Sequence, residues 1–504
     1  MRTATFDFRP STLDLRPSTL DPSSFRSHAH DLVDWMADYL ESIEGRRVTP
    51  AVAPGDLRRA LPAEAPESAE PFAAIWRDFE GLVLPGMTHW QHPGWMAYFP
   101  GNASPPAVLA EMASAALATN VMSWQTAPAA TELEQVTLEW LRRLVGLPDG
   151  LTGVIQDTAS AATLVAVLSA RERATRAGFG REGAAAPDAA RLVGYASAEA
   201  HSSVPKAFRL AGFGEDRLRL VPVDDRFALR ADLLAEMMEA DRAAGLLPAC
   251  VVATAGTTSS TAVDPVAAVA ELCARHAAWL HVDAAYAGTA AVCPELRWVL
   301  EGCGRADSLV LNPHKWMLVN FDCSAYFVRD PAHLTATFGT APAYLRGAHD
   351  ELVANFRDWG IPLGRRFRAL KLWFVLRGYG AEGIRAHVRR TVEQGKWLAA
   401  AAGSDAGWIV AAPAELGLVC LRHQPAGLDD SAADDLNRRV LATVNAAGRY
   451  HLGGTILGGR QVIRVALGGR LTEQRHVEGV WEELRAAVED GGTRRLDRTA
   501  QQGG

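Results

Sequence analysis

Hydrophobic positions divide the chain into a helical beginning, a long alternating middle and a mixed end. Phe25, Leu32, Val33, Met36, Leu40 and Ile43 recur at helical spacing behind a serine cap, which predicts an amphipathic helix; a second helix follows over about 71–83. From about Leu151 short apolar runs alternate with helical patterns. Residues 154–155, 191–196, 251–254, 280–282 and 309–311 read as strands, each followed by small or polar residues. Strands alternating with helices predict an α/β fold with a mostly parallel, doubly wound sheet. A ligand in such a sheet sits at the C-terminal strand ends. Residues 338–359 have little periodicity and read as a lid loop. After a helix from Arg366 to about Arg377, apolar runs at 408–421 and 462–467 and helices near 432–445 and 472–488 predict a small α+β domain. The expected organisation is a disordered tail over 1–22, where a heptad nearly repeats, and an N-terminal helical segment over 23–100. A large domain over 101–385, a small C-terminal domain over 386–490 and a second tail over 491–504 follow.

Composition narrows the function. A chain of 504 residues exceeds a single core, and 48% hydrophobic with 22% charged residues suits a globular enzyme. The balance of 51 basic and 58 acidic residues, net −7, argues against nucleic acid or an anionic membrane surface as partner. No apolar run is long enough for a spanning helix, and residues 1–22 lack the apolar core of a signal peptide, so a cytoplasmic protein is expected. Six cysteines without paired spacing read as reduced thiols, with no metal site.

Only four of the 51 basic residues are lysines, at 206, 315, 371 and 396. Lys315 follows the apolar strand 308–311, within Asn312-Pro313-His314-Lys315-Trp316. Arginine cannot lose its proton to form an imine, whereas a desolvated lysine can; a surface lysine is the plain alternative. The other strand ends carry Thr158-Ala159-Ser160 at a helix start, His201, Thr258 and Asp283-Ala284-Ala285. Hydroxyls and bare amides at a helix N-terminus suit a phosphate or an ordinary cap. Asp283 ending a buried strand needs a partner, such as a pyridinium. Together these are the parts of a pyridoxal phosphate site: a Schiff-base lysine, a carboxylate for the ring nitrogen, a flat stacking residue and a small residue opposite. The aromatic block His89, Trp90, His92, Trp95, Tyr98, Phe99 reads as core or as a pocket wall.

The stretches His281 to Gly288 and Asn312 to Trp316 resemble the group II pyridoxal-phosphate decarboxylases, within which the likeness is to members acting on aromatic L-amino acids. Pro85-Gly86-Met87-Thr88-His89-Trp90, Thr131-Glu132-Leu133-Glu134, Ala200-His201-Ser202-Ser203 and the run Ile361 to Phe367 extend it. The resemblance implies a fold-type I, aspartate aminotransferase-like enzyme that works as a homodimer, its N-terminal helices packing on the partner. It implies that Lys315 carries the cofactor, Asp283 pairs with the pyridine nitrogen, Ala285 lies beneath the ring and His201 stacks on it. Thr258 would lie near the phenolic oxygen. Thr158, Ala159, Ser160 and Asn312 would hold the phosphate, with His314 beside it. Tyr344 matches the tyrosine that protonates the substrate's α-carbon; relatives with phenylalanine there, or asparagine for the stacking histidine, release aldehydes. Plain decarboxylation of an aromatic amino acid is therefore expected, in a pocket of Trp90, Tyr98, Phe99, Pro100, Asn120, Met122 and Gly364. Gly364 matches a position where glycine leans to indoles and serine to hydroxyphenyl rings. Gly101, Asn120 and Met122 depart from the animal enzymes, which leaves tryptophan, phenylalanine, tyrosine and dihydroxyphenylalanine open. The rivals are an aldehyde synthase on this scaffold, a decarboxylase of acidic or diamino acids, and a cofactor-binding protein without turnover.

Overall fold

The structure is a computed structural model that describes residues 22–340 and 352–501. The chain divides into one unit through His92 and a second from Pro93. In the first, helix Pro22–Ser42 sets Trp35 edge-on to Trp76 at 5.3 Å and to Phe79 at 5.6 Å. These two partners belong to helix Phe72–Asp78 and the turn that continues it. The Tyr39 hydroxyl meets His89 Nδ1 at 2.8 Å.

The second unit holds twelve strands among the described residues. In chain order they are β1 (Trp95–Met96), β2 (Thr152–Gln156), β3 (Leu192–Ser197), β4 (Leu218–Val221), β5 (Leu247–Thr254) and β6 (Trp279–Asp283). Then come β7 (Ser308–Leu311), β8 (Ser324–Val328), β9 (Trp408–Val410), β10 (Leu418–His423), β11 (His451–Leu457) and β12 (Arg460–Ala466). The large sheet has the order β2-β8-β7-β6-β5-β3-β4. Its pairs from β7 to β4 are parallel, and β8 alone runs against both of its neighbours. Alternate residues face opposite sides of a strand. Val251, Ala253, Leu280, Val282 and Leu309 join a core with helices Pro128–Leu144 and Val266–His276. Val252, Val310 and Tyr326 join another with helices Ala159–Ala174 and Ser203–Leu210. Burial on both faces is why the strands read as unbroken apolar runs.

Several expectations need correction. β4 is an edge strand with Leu220 54% exposed, so it carries no buried run to detect. Trp95–Met96 pairs parallel with β11, which takes this stretch out of the N-terminal segment and into the small sheet, order β1-β11-β12-β10-β9. The helix that starts at Ala369 ends at the non-helical Gly380 (φ 63°), close to the expected end near Arg377, and a second helix then runs to Gly403 across the expected boundary at 385. The final helix continues from Gln474 to Gln501, beyond the start of the expected tail.

One close approach locks the large sheet to its helical layer. A Cβ at Gly194 on β3 would lie 1.9 Å from the buried Phe208 ring. Gly194→Ala is expected to destabilise the protein by about 1–3 kcal/mol through overpacking, read as a lowered midpoint in thermal unfolding.

Candidate active site

Lys315 occupies the turn after β7, where the sheet's parallel strands end. Its backbone N–H bonds back to Asn312 O at 3.0 Å, and Asn312 N–H to Ala285 O at 3.2 Å, which ties this turn to the one after β6. Three rings support it. Phe99 stacks on Tyr286 at 3.9 Å and Tyr286 on Trp316 at 4.7 Å, while Trp316 Nε1–H donates to Tyr286 O at 2.7 Å. The Lys315 amine lies 4.8 Å from the Phe99 ring centre. Desolvation brings its pKa down to about 8 against the pull of Asp283, helped by the positive charge of Arg464.

Asp283 is the last residue of β6 and is buried; one carboxylate oxygen accepts the Ala285 N–H at 3.0 Å. Asp283 and Lys315 both act electrostatically on His201, whose pKa is lowered chiefly by desolvation. The Ser203 N–H donates to His201 Nδ1 at 3.1 Å, so the neutral ring carries its proton on Nε2. His314 obeys the same logic: Cys323 N–H donates to its Nδ1 at 2.9 Å. Burial and Lys315 push its pKa to about 3. A neutral ring with Nε2–H is then a fixed hydrogen-bond donor. Thr158 caps helix Ala159–Ala174, its hydroxyl accepting the Ala161 N–H at 3.2 Å. The adjoining Asp157 O accepts the Ser324 hydroxyl at 3.3 Å, which brings this helix start beside the Cys323–His314 contact.

The expected pocket residues separate. Phe99 and Pro100 are buried, whereas Tyr98 is 64% exposed at φ 53°. Trp90 belongs to the N-terminal unit. Asn120, Met122 and Gly364 lie against the 357–365 stretch: Asn120 Oδ1 accepts the Arg365 N–H at 2.9 Å, Met122 O accepts the Arg357 N–H at 2.9 Å, and a Cβ on Gly364 would lie 3.5 Å from Asn120 Nδ2. Tyr344 lies outside the described residues. Two residues were missed. Asn102 Nδ2 donates to Lys315 O at 2.8 Å and Gly468 O at 2.9 Å, while its Oδ1 accepts the Arg470 N–H at 2.8 Å. Arg464 on β12 donates to Thr258 O at 2.6 Å and Tyr98 O at 3.3 Å. A charge inside the apolar run 462–467 was the available signal for Arg464; Asn102, after Pro-Gly, reads as a turn residue.

A carboxylate, a lysine of lowered pKa and a helix start converging at parallel strand ends match one family in particular. The family model for the pyridoxal-dependent decarboxylase conserved domain matches residues 54–424. The chain belongs to this family. It is 44% identical over 478 residues to aromatic-L-amino-acid decarboxylase of Bos taurus, covering 92% of this chain and 95% of that protein. It is 40% identical over 467 residues to phenylacetaldehyde synthase of Arabidopsis thaliana, covering 91% and 94%. The crystal structure of Oryza sativa TDC with PLP and tryptamine matches with TM-score 0.91 at 39% identity, covering 94% of this chain and 99% of that one.

This pyridoxal-dependent decarboxylase is a fold-type I α/β protein with pyridoxal phosphate as its cofactor. The donor set fits that group. Asn312 Oδ1 is buried without a hydrogen-bond partner among the described residues, and turning the amide over would offer its NH2 to an anion. Among the described residues no cluster suits a metal ion, and no helix is long and apolar enough to cross a membrane. Because Lys315 must be unprotonated to bond the cofactor's aldehyde, the rate of cofactor uptake by the apo-decarboxylase should rise with pH and level off above about 8. Stopped-flow absorbance checks this.

Proposed function

We propose that this enzyme decarboxylates an aromatic L-amino acid to its amine and carbon dioxide. The observation that carries the proposal is the Lys315 amine, lowered to about 8, facing the Asp283 carboxylate. Pyridoxal phosphate supplies an electron sink for the pair left when carbon dioxide departs. Lys315 holds the cofactor and afterwards carries a proton at Nζ. Asp283 would pair with the ring nitrogen and keep it protonated. His201 would cover one ring face, and the single methyl of Ala285 would leave room at the other. Thr158, Ala159, Ser160 and Asn312 would hold the phosphate, with the His314 Nε2–H as a further donor, and Thr258 would take the phenolic side. Phe99 and Pro100 would form an uncharged, buried wall that accepts a ring rather than a second carboxylate. Tyr344 returns a proton to the α-carbon.

In this reading the enzyme is a homodimer in which Asn120, Met122 and Gly364 complete a partner subunit's site. Six buried cysteines, all free, suit the reducing cytoplasm. The aldehyde-synthase reading has a relative in its favour; His201 and Tyr344 favour decarboxylation.

Purified enzyme with pyridoxal phosphate is expected to convert at least one of tryptophan, phenylalanine, tyrosine and dihydroxyphenylalanine to its amine, identified by mass spectrometry. Lys315→Ala should abolish turnover. Tyr344→Phe should divert product toward aldehyde. Aldehyde as the main product of the unaltered enzyme would overturn the proposal.

A further inference from the structure

The last residues of β5 and β6 lie side by side, with Thr254 the register partner of Asp283. His281 precedes Asp283 by two residues, so all three side chains leave the same face of the sheet. All are buried. Asp283 accepts the Ala285 N–H at 3.0 Å. Behind it, Ser308 Oγ accepts the Trp279 Nε1–H at 2.9 Å and meets His281 Nδ1 at 2.9 Å. Two polar atoms beside the carboxylate have no hydrogen-bond partner among the described residues: Thr254 Oγ1 and His281 Nε2. A buried hydroxyl without a partner lowers stability, and valine would fill the same space without that cost. The preceding residues of β5, Val251, Val252 and Ala253, are indeed apolar. A threonine and a histidine flanking one carboxylate therefore call for a functional reason.

We infer that Thr254 and His281 are positioning residues for Asp283, forming a polar row along β5 and β6 that orients its carboxylate toward the cofactor's pyridine nitrogen. The Thr254 hydroxyl turns to donate to the carboxylate, one strand spacing away at roughly 4.8 Å. His281, held neutral by burial with its pKa at about 4, backs the row without placing a second charge beside the ring nitrogen. This rests on the assignment of Asp283 made above.

The test compares Thr254→Val, Thr254→Ser, His281→Gln and Asp283→Asn with the unaltered protein. It measures apoenzyme melting temperature, pyridoxal phosphate dissociation constant, and the visible absorption of the bound cofactor. Thr254→Val should melt no lower than the unaltered apoenzyme, bind cofactor about fivefold to tenfold more weakly, and shift the absorption band. Thr254→Ser should restore affinity and band. His281→Gln should weaken binding by a similar factor; unaltered affinity there removes His281 from the row. Unaltered affinity and spectrum in Thr254→Val overturn the inference, as does a lower apoenzyme melting temperature, which would mean that the hydroxyl serves the fold. If Asp283→Asn binds the cofactor as the unaltered protein does, the assignment of Asp283 itself fails. If Asp283→Asn weakens binding while Thr254→Val does not, only the polar row is refuted.

Discussion

The stack of Phe99, Tyr286 and Trp316 is the contact on which the site depends. It joins three distant segments: the chain after β1, the turn after β6 and the turn after β7. Its outer ring carries the Lys315 amine at 4.8 Å. An aromatic support desolvates an ammonium while offering a weak electrostatic return. The result is an amine lowered to about 8. A flexible lysine in water would be protonated almost completely near neutral pH; here desolvation raises the share of free amine.

The same economy governs the other groups. His201 and His314 sit on different loops, yet in each a backbone N–H occupies Nδ1. Fixing one nitrogen fixes the proton on the other, so neither ring needs a carboxylate to set its tautomer. Positive charge comes from the small sheet: Arg464 on β12 reaches the Thr258 carbonyl, and its charge helps to lower the Lys315 pKa. Asn102 joins the carbonyls of Lys315 and Gly468. The large sheet supplies the reactive groups, and the small sheet holds the turns that present them.

Much of this was legible beforehand because it is local. Strands buried on both faces declare themselves as apolar runs, and a polar residue that ends such a run is conspicuous, as Asp283 is after Trp279-Leu280-His281-Val282. A lysine in a chain that otherwise uses arginine marked position 315. The missed elements are those whose identity depends on a distant partner. The two-residue strand Trp95–Met96 exists only because β11 lies beside it. β4 pairs on one side only.

Residue types and their order along the chain determined the fold class and the cofactor, because periodicity and strand-end chemistry are properties of neighbouring residues. Tertiary structure alone decided which atoms are desolvated and which stay unpaired. The lowered pKa of Lys315, the carbonyl contacts of Arg464 and Asn102, and the orphaned Thr254 hydroxyl beside Asp283 all arise from segments far apart in sequence. Desolvation and hydrogen-bond satisfaction depend on everything packed around a group, and no local pattern encodes that.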